Sequence, residues 1–519
     1  MTPYDEVFYG THPTPQTHPG RLAALATLYG MEPAPVARCR VLELGCGDGG
    51  NLIPLAFNYP EGEFVGVDLA ARPLASGQAL AADLGLQNLR LLHMGIEDVP
   101  EEFGVFDYVI AHGVYSWVPA HVRDRLLAVC GAHLAPQGVA YVSYNTYPGG
   151  HVHRVLRDMM LFHVRNIEDP RLRIEQARAM AALVGAGTPA SRQYSVLLRE
   201  EAGRVAKFSD EHLYHDDLAE IQEPVYFHQF AEHAARHGLE YLTEADYFET
   251  QDQMFSEEVR AVVAQLGAEV VLREQYADFL KCRQFRQTLL SPRGAAPAGG
   301  PDSARVSRLF AATHAKPASG APDLSPGVAV KFERTNGGTV TTDHPLVKAT
   351  LLHLSERWPQ AIAFEELVDA ARARAGAGAD EVPRAEHARL LGESLHEMYA
   401  VDLVELHACP FDFTPEISER PCVSRLARAQ LARGPMATCQ RHVNVRFDDE
   451  LARAMLLLAD GTRDRPAMLD SLREMLESSE VSAGDQGGGA AGRDETVQTL
   501  PTKLDAALAF ASEHALLVS

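Results

Sequence analysis

Residues 43–51 read Glu-Leu-Gly-Cys-Gly-Asp-Gly-Gly-Asn, and an acid, Asp68, stands 25 positions after Glu43 at the end of Phe64-Val-Gly-Val-Asp68. Glycine at 45 and 47 lets a backbone turn tightly and lie against a bound nucleoside. Gly45-x-Gly47-x-x-Gly50 satisfies the dinucleotide fingerprint, which is a weak signal alone. Glu43 before the first glycine and Asp48 within the loop add negative charge, which a pyrophosphate would avoid and a ligand bearing a sulfonium and an ammonium would seek. A carboxylate at position 68 can accept from both ribose hydroxyls.

That chemistry implies S-adenosylmethionine as cofactor, with a nicotinamide dinucleotide or a purely structural glycine turn as the alternatives. The expected cofactor-binding set is Glu43, Gly45, Cys46, Gly47, Asn51, Asp68, Leu69, Ile96 and Glu97, the adenine lying against Ile96 and its amino group read by Glu97 or Asp98. Downstream, His112-Gly-Val-Tyr115-Ser-Trp117 and Tyr144-Asn145-Thr-Tyr147 supply aromatics for an acceptor pocket. Methyl transfer is an in-line displacement, so these groups would mainly position the acceptor and exclude water. An aromatic, desolvating pocket lowers an amine's pKa and attracts its cation by cation–π contact. His112, Tyr115, Trp117, Tyr144 and Asn145 are therefore the expected catalytic residues; core packing for the aromatics and a structural hydrogen bond for His112 are the competing readings.

These residues need a scaffold that brings strand ends together. Strands are expected at Arg40–Leu44, Glu63–Val67, Leu89–His93, Phe106–Ala111 and Val139–Tyr144, with amphipathic helices over Leu52–Tyr59, Arg72–Leu84 and Ala120–Leu134 between them. Such alternation calls for a parallel sheet covered by helices, whose ligands bind at the carboxyl ends of the strands.

Across the 519 residues, 47 Lys+Arg against 70 Asp+Glu give a net charge of −23, which argues against a chain built to grip nucleic-acid phosphates. A hydrophobic share of 46% beside 23% charged residues excludes collagenous and wholly disordered classes. No run reaches the roughly 20 apolar residues of a membrane span, and no secretory signal opens the chain. Seven cysteines without a C-x-x-C pair point to a reducing, cytoplasmic setting. The grouping His407, Cys409, Cys422, Cys439 and His442 fits no zinc spacing, so no metal is expected. The first lysine is Lys207, which suits a lysine-modifying domain but follows equally from an arginine-favouring composition.

The expected division is a cofactor-binding domain at 1–150, a helical connector at 151–205, a middle domain at 206–290, a flexible linker at 291–327 and a C-terminal domain at 328–519. The linker reading rests on Ala, Pro, Gly and Ser richness; residues 375–379 and 484–492 read as glycine-rich loops. In the last domain, strands at Val330–Glu333, Thr339–Thr342 and Leu403–Leu406 with helices at His344–Trp358, Phe364–Ala373 and Arg389–Met398 suggest a winged-helix-like unit, and Asp448–Asp460 with Pro466–Leu476 a second.

The order Glu43-Leu-Gly-Cys-Gly, Asp68, Phe106-Asp-Tyr108 and Pro136-Gln-Gly138 resembles class I S-adenosylmethionine-dependent methyltransferases. Thr17-His-Pro-Gly-Arg-Leu22, Tyr214-His-Asp-Asp-Leu218, Glu274-Gln-Tyr-Ala-Asp-Phe279 and Arg286-Gln-Thr-Leu289 are similar to bacterial members with a methyltransferase regulatory domain. The rickettsial protein-lysine methyltransferases acting on outer-membrane proteins share that architecture. The resemblance implies a Rossmann-like methyltransferase sheet, a middle regulatory domain and a mostly helical winged-helix-like C-terminal domain. It implies a bacterial, cytoplasmic enzyme methylating lysine in a protein substrate such as an outer-membrane protein, with homodimer formation as a further expectation. A small-molecule acceptor, or a non-catalytic cofactor-binding regulator, are the alternatives.

Overall fold

The computed structural model describes residues 3–8, 10–187, 193–267, 269–320, 322–335, 337–376, 381–478 and 490–519. Its centre is a seven-stranded sheet of β1 (Arg40–Leu44), β2 (Glu63–Asp68), β3 (Leu89–His93), β4 (Phe106–Ala111), β5 (Leu134–Asn145), β6 (Leu239–Glu244) and β7 (Phe285–Pro292), in the order β3-β2-β1-β4-β5-β7-β6. The apolar runs that predicted β1, β2, β4 and β5 are buried on both faces, as parallel strands under helices require, whereas β3 at the sheet's edge buries only Leu91. Helices Leu52–Asn58, Ala71–Leu84 and Ala120–His133 make the crossovers.

The sheet is parallel only through β5. β7 pairs antiparallel with β5, from Ala140↔Leu290 to Asn145↔Phe285, and β6 pairs antiparallel with β7. Both added strands come from the segment expected to form a separate middle domain. A buried cation locks them in place. Arg286 on β7 donates to both oxygens of Asp278 (2.9 and 2.8 Å) and to Glu274 Oε2 (3.0 Å), and it also pairs with Glu244. Its guanidinium lies 3.9 Å from the Phe227 ring centroid. The Glu274…Arg286 motif is thus an ion network at the sheet's edge.

Helices Gly149–Val164, Pro170–Gly187 and Gln193–Val205 pack into a cluster around Leu156, Met160 and Ala177. The 291–327 stretch does not act as a free linker. Ser303–Arg308 forms a turn of 3-10 helix, and Phe310–Ala312 is the middle strand of a small sheet flanked by Ile362–Ala363 and Glu405–His407. Alanine and proline richness concealed these elements, because Ala311 is buried between partners far along the chain, Ile362 and Leu406. Helices Pro345–Arg357, Phe364–Ala375 and Arg384–Ala400 complete this unit.

The last unit carries the hairpin Met436–Thr438/Asn444–Arg446 and helices Arg425–Leu431, Glu450–Leu458, Arg465–Glu477 and Ala490–Glu513 around Leu431, Met455, Leu472 and Leu508. It docks on the first domain through Arg425, which donates to the Asp83 carbonyl (2.6 Å), and through Leu426 against Ile53 and Leu84. Residues 377–379 and 484–489 of the two expected glycine loops lie outside the described residues. No described helix is long and apolar enough to cross a membrane.

Candidate active site

A cavity of about 650 Å3 opens at the carboxyl ends of β1, β2, β3 and β4. The turn after β1 forms one wall. Gly45 and Gly47 have φ of +77° and +56°, and a Cβ at either would lie 2.5 Å from Val114 or 2.3 Å from Thr11. No L side chain fits there without displacing its neighbour.

Glu43 is buried. Its Oε1 accepts from Asn51 Nδ2 (3.0 Å), while Oε2 is buried without a partner. Burial raises its pKa to about 8, and Asp68 and Asp48 add repulsion against the hydrogen bond from Asn51. Asp68 lines the cavity, accepting from Gly47 N (2.8 Å) and Ala70 N (2.7 Å). Burial raises its pKa too, against those backbone hydrogen bonds. A carboxylate has about four acceptor positions, so Asp68 retains capacity for a ligand.

Leu69, Ile96 and Glu97 line the cavity as expected; Cys46 does not. Its side chain is buried against Gly66 and Leu52, behind the turn. Asp48 is also turned away. Its Oδ1 accepts from Thr11 N (3.1 Å) and Gly50 N (3.1 Å) and pairs with the Thr11 hydroxyl, so it straps the N-terminal segment over the loop instead of facing a ligand.

On the acceptor side, His112, Trp117 and Asn145 line the cavity. Trp117 Nε1, an N–H donor, is buried without a partner. Tyr141 donates to Gln287 Oε1 (2.7 Å), so its oxygen accepts from His112 Nδ1 (3.0 Å). Ser143 Oγ, which accepts from Gly113 N, lies 3.2 Å from the same nitrogen, and a proton on Nδ1 serves both oxygens while Nε2 keeps its lone pair. Burial lowers the His112 pKa to about 4, so the ring is neutral.

Tyr115 and Tyr144 are not pocket residues. Both are buried around Phe230, stacked on Tyr144 at 4.0 Å and edge-on to Tyr115 at 5.1 Å. Tyr144 sits beside Asn145 on β5, and neighbours on a strand face opposite ways. Tyr147 stacks on His151 at 4.0 Å.

A further wall comes from residues 149–224: Gly150, His153, Arg204, His212, Asp216 and Asp217 line the same cavity. His153 Nε2 lies 2.8 Å from Asp217 Oδ1, and its Nδ1 lies 3.1 Å from Glu201 Oε2. These hydrogen bonds raise the His153 pKa against burial. The same His153 bond lowers that of Asp217 against burial, and Asp217 Oδ2 remains buried without a partner. Asp216, beside it, is pushed up to about 7 by burial and by the Asp217 charge. Reasoning from spacing missed this wall, although Tyr214–Leu218 was a visible motif.

Two further supports lie far off in sequence. Thr17 Oγ1 (3.1 Å) donates to Asn51 Oδ1, and His442 Nε2 lies 2.7 Å from the same oxygen. The C-terminal unit thereby touches the residue that holds Glu43.

Family models match three parts of the chain: a methyltransferase domain at 41–138, a predicted methyltransferase regulatory domain at 209–291 and a PKMT C-terminal winged helix domain at 419–516. An uncharacterized protein of Rickettsia prowazekii is 42% identical over 293 residues, 56% of this chain and 52% of that protein. A second from the same organism is 35% identical over 240 residues, 46% of this chain and 96% of that protein. The match thus spans about half the length of the first relative and nearly all of the second. The structure of PKMT2 from Rickettsia typhi in complex with AdoHcy superposes with a TM-score of 0.86 at 25% identity, covering 98% of this chain and 100% of that one.

Proposed function

The chain belongs to the S-adenosylmethionine-dependent methyltransferases that carry a methyltransferase regulatory domain, and from that premise we propose that it methylates lysine side chains of protein substrates. The orphaned Glu43 Oε2, the acceptor positions of Asp68 and the apolar Ile96 fit the cofactor's ammonium, ribose and adenine. Gly45, Gly47, Asn51, Leu69 and Glu97 would complete its berth. When bound, S-adenosylmethionine supplies a methyl group that a neutral amine takes as the sulfur leaves as a thioether.

One observation carries the lysine reading: two neighbouring carboxyl groups, Asp216 and Asp217, line the same cavity. Asp216 and Asp217 would hold an incoming ammonium, with Trp117 beside it and Asn145 orienting it. A carboxyl near pKa 7 is half ionised at neutral pH, so Asp216 can take the ammonium's proton. Neutral His112 offers Nε2 as an acceptor without adding positive charge against the cofactor's own. Narrow burial of the acceptor lowers its pKa in the same direction. The name of PKMT2 supports the same substrate class. On this reading a cytoplasmic location and an outer-membrane protein as substrate follow from the family resemblance.

The test is incubation of the purified chain with labelled S-adenosylmethionine and separate pools of protein, lysine peptide and metabolites, read by mass spectrometry. Methyl groups are expected on protein lysines. Label entering only the metabolite pool would establish a small-molecule acceptor; cofactor binding with no label anywhere would establish a regulator.

A further inference from the structure

Away from the cavity, a second cluster of ligating side chains lies where the helix Ala120–His133 meets the helix Phe227–Arg236. Among the described residues, Asp124, His233 and His237 are the group whose ligand atoms converge, all within 4.8 Å of one another. His233 lies in the last turn of that helix and His237 caps its end one residue beyond Arg236, four positions on. Both bring Nε2 to a single oxygen, Asp124 Oδ1, at 3.0 and 2.9 Å.

The geometry points to a binding site for a divalent transition-metal ion of the zinc type, held by Asp124, His233 and His237 with water completing the shell. Two imidazoles and one carboxylate suit zinc and its neighbours, whereas calcium and magnesium ask for oxygen throughout. Bonds of about 2.0–2.1 Å in a tetrahedron space the ligands roughly 3.3 Å apart. The Asp–His separations therefore need to open by only a few tenths of an ångström. The Asp124 side chain, 59% exposed, has room to do so, and the histidine side chains, 12% and 19% exposed, sit within reach of solvent.

An outer partner already orients the first imidazole. Tyr115 Oη lies 2.8 Å from His233 Nδ1. Without an ion, Nε2–H donates to Asp124 and the tyrosine donates to Nδ1. With Nε2 on an ion, Nδ1–H donates to the tyrosine oxygen, the usual second support of a metal-bound histidine. Tyr115 is buried in the turn Tyr115–Trp117, whose Trp117 lines the cavity. An ion here would fasten the regulatory segment's helix to the turn at the cavity floor.

The experiment uses the full chain stripped with a chelator and titrated calorimetrically with Zn2+ alone, with Co2+ substituted to record its visible spectrum. One ion per chain is expected, together with a zinc-dependent rise in the unfolding midpoint, since a ligand of the folded state stabilises by mass action. His237→Ala and, separately, Asp124→Asn are each expected to weaken zinc binding at least about tenfold and to abolish that rise. Retained S-adenosylhomocysteine binding in both variants shows that they fold. Absence of zinc binding to the parent, or binding unchanged in both folded variants, would overturn the site and leave a hydrogen-bonded Asp–His pair only.

Discussion

The two walls of the cavity are built differently. The wall proposed to hold the cofactor spans residues 43–69 and is fixed by backbone: two left-handed glycines, a strand-end acid and hydrogen bonds to main-chain N–H groups. The other wall relies mainly on side chains, His153, Arg204, Asp216 and Asp217, drawn from three helical segments within residues 149–224. Backbone geometry tolerates little change and is shared by a wide class of enzymes. Side-chain walls can be exchanged without disturbing the scaffold, which is how one fold accepts many acceptors.

The contrast can be broken most severely through Arg286. Arg286→Met leaves Glu244, Glu274 and Asp278 buried without their cation, and a loss of roughly 3–5 kcal/mol in unfolding free energy is expected in denaturant titration. Both walls would fall together, because β6 and β7 complete the sheet. A sharper cut is Asp216→Asn. Methyl transfer should drop about 10²–10⁴-fold while calorimetric binding of S-adenosylhomocysteine holds. Equal loss of both would place Asp216 on the cofactor side and erase the distinction.

Asp68→Ala is the mirror experiment, expected to weaken S-adenosylhomocysteine binding about 100-fold. Glu43 adds a pH signature. Its carboxyl is raised to about 8 in the ligand-free protein, and a cationic ligand binds the ionised form. Cofactor affinity should therefore climb as pH rises from 6 toward 8 and level off above. In the ligand-free protein the sign reverses for stability. The folded state holds this proton more tightly than the unfolded chain, so stability falls as pH rises from about 4.5 through 8. Glu43→Gln should flatten both profiles, measured by calorimetry and by thermal melts. The smallest effect is expected from His442→Ala, which removes one hydrogen bond to Asn51 and should cost about 1 kcal/mol in cofactor binding.

Much of the first wall was legible. The alternation of apolar runs located β1 to β4 to within a residue; Glu43 was assigned from its charge just before the first glycine, and Asp68 and Ile96 from their positions at strand ends. Cys46 and Asp48 misled because adjacent residues in a tight turn point in different directions, and charge counted along the chain does not say which way it faces. Tyr144 carried a usable signal, since Asn145 beside it on a strand must face the other way. Tyr115 carried none; Phe230, more than a hundred positions later, decides its burial.

What the sequence determined was local. Strand, turn and acid follow one another within some 30 residues, and their conformations are set by sterics that act between near neighbours, so the cofactor end could be read directly. What only the tertiary structure decided was every relation across distance: β7 beside β5, Phe310–Ala312 inside a sheet, Asp216 in one cavity with Glu43, and His442 against Asn51. Those depend on which surfaces pack when the chain collapses. Packing is a property of pairs that a linear order of residues does not specify.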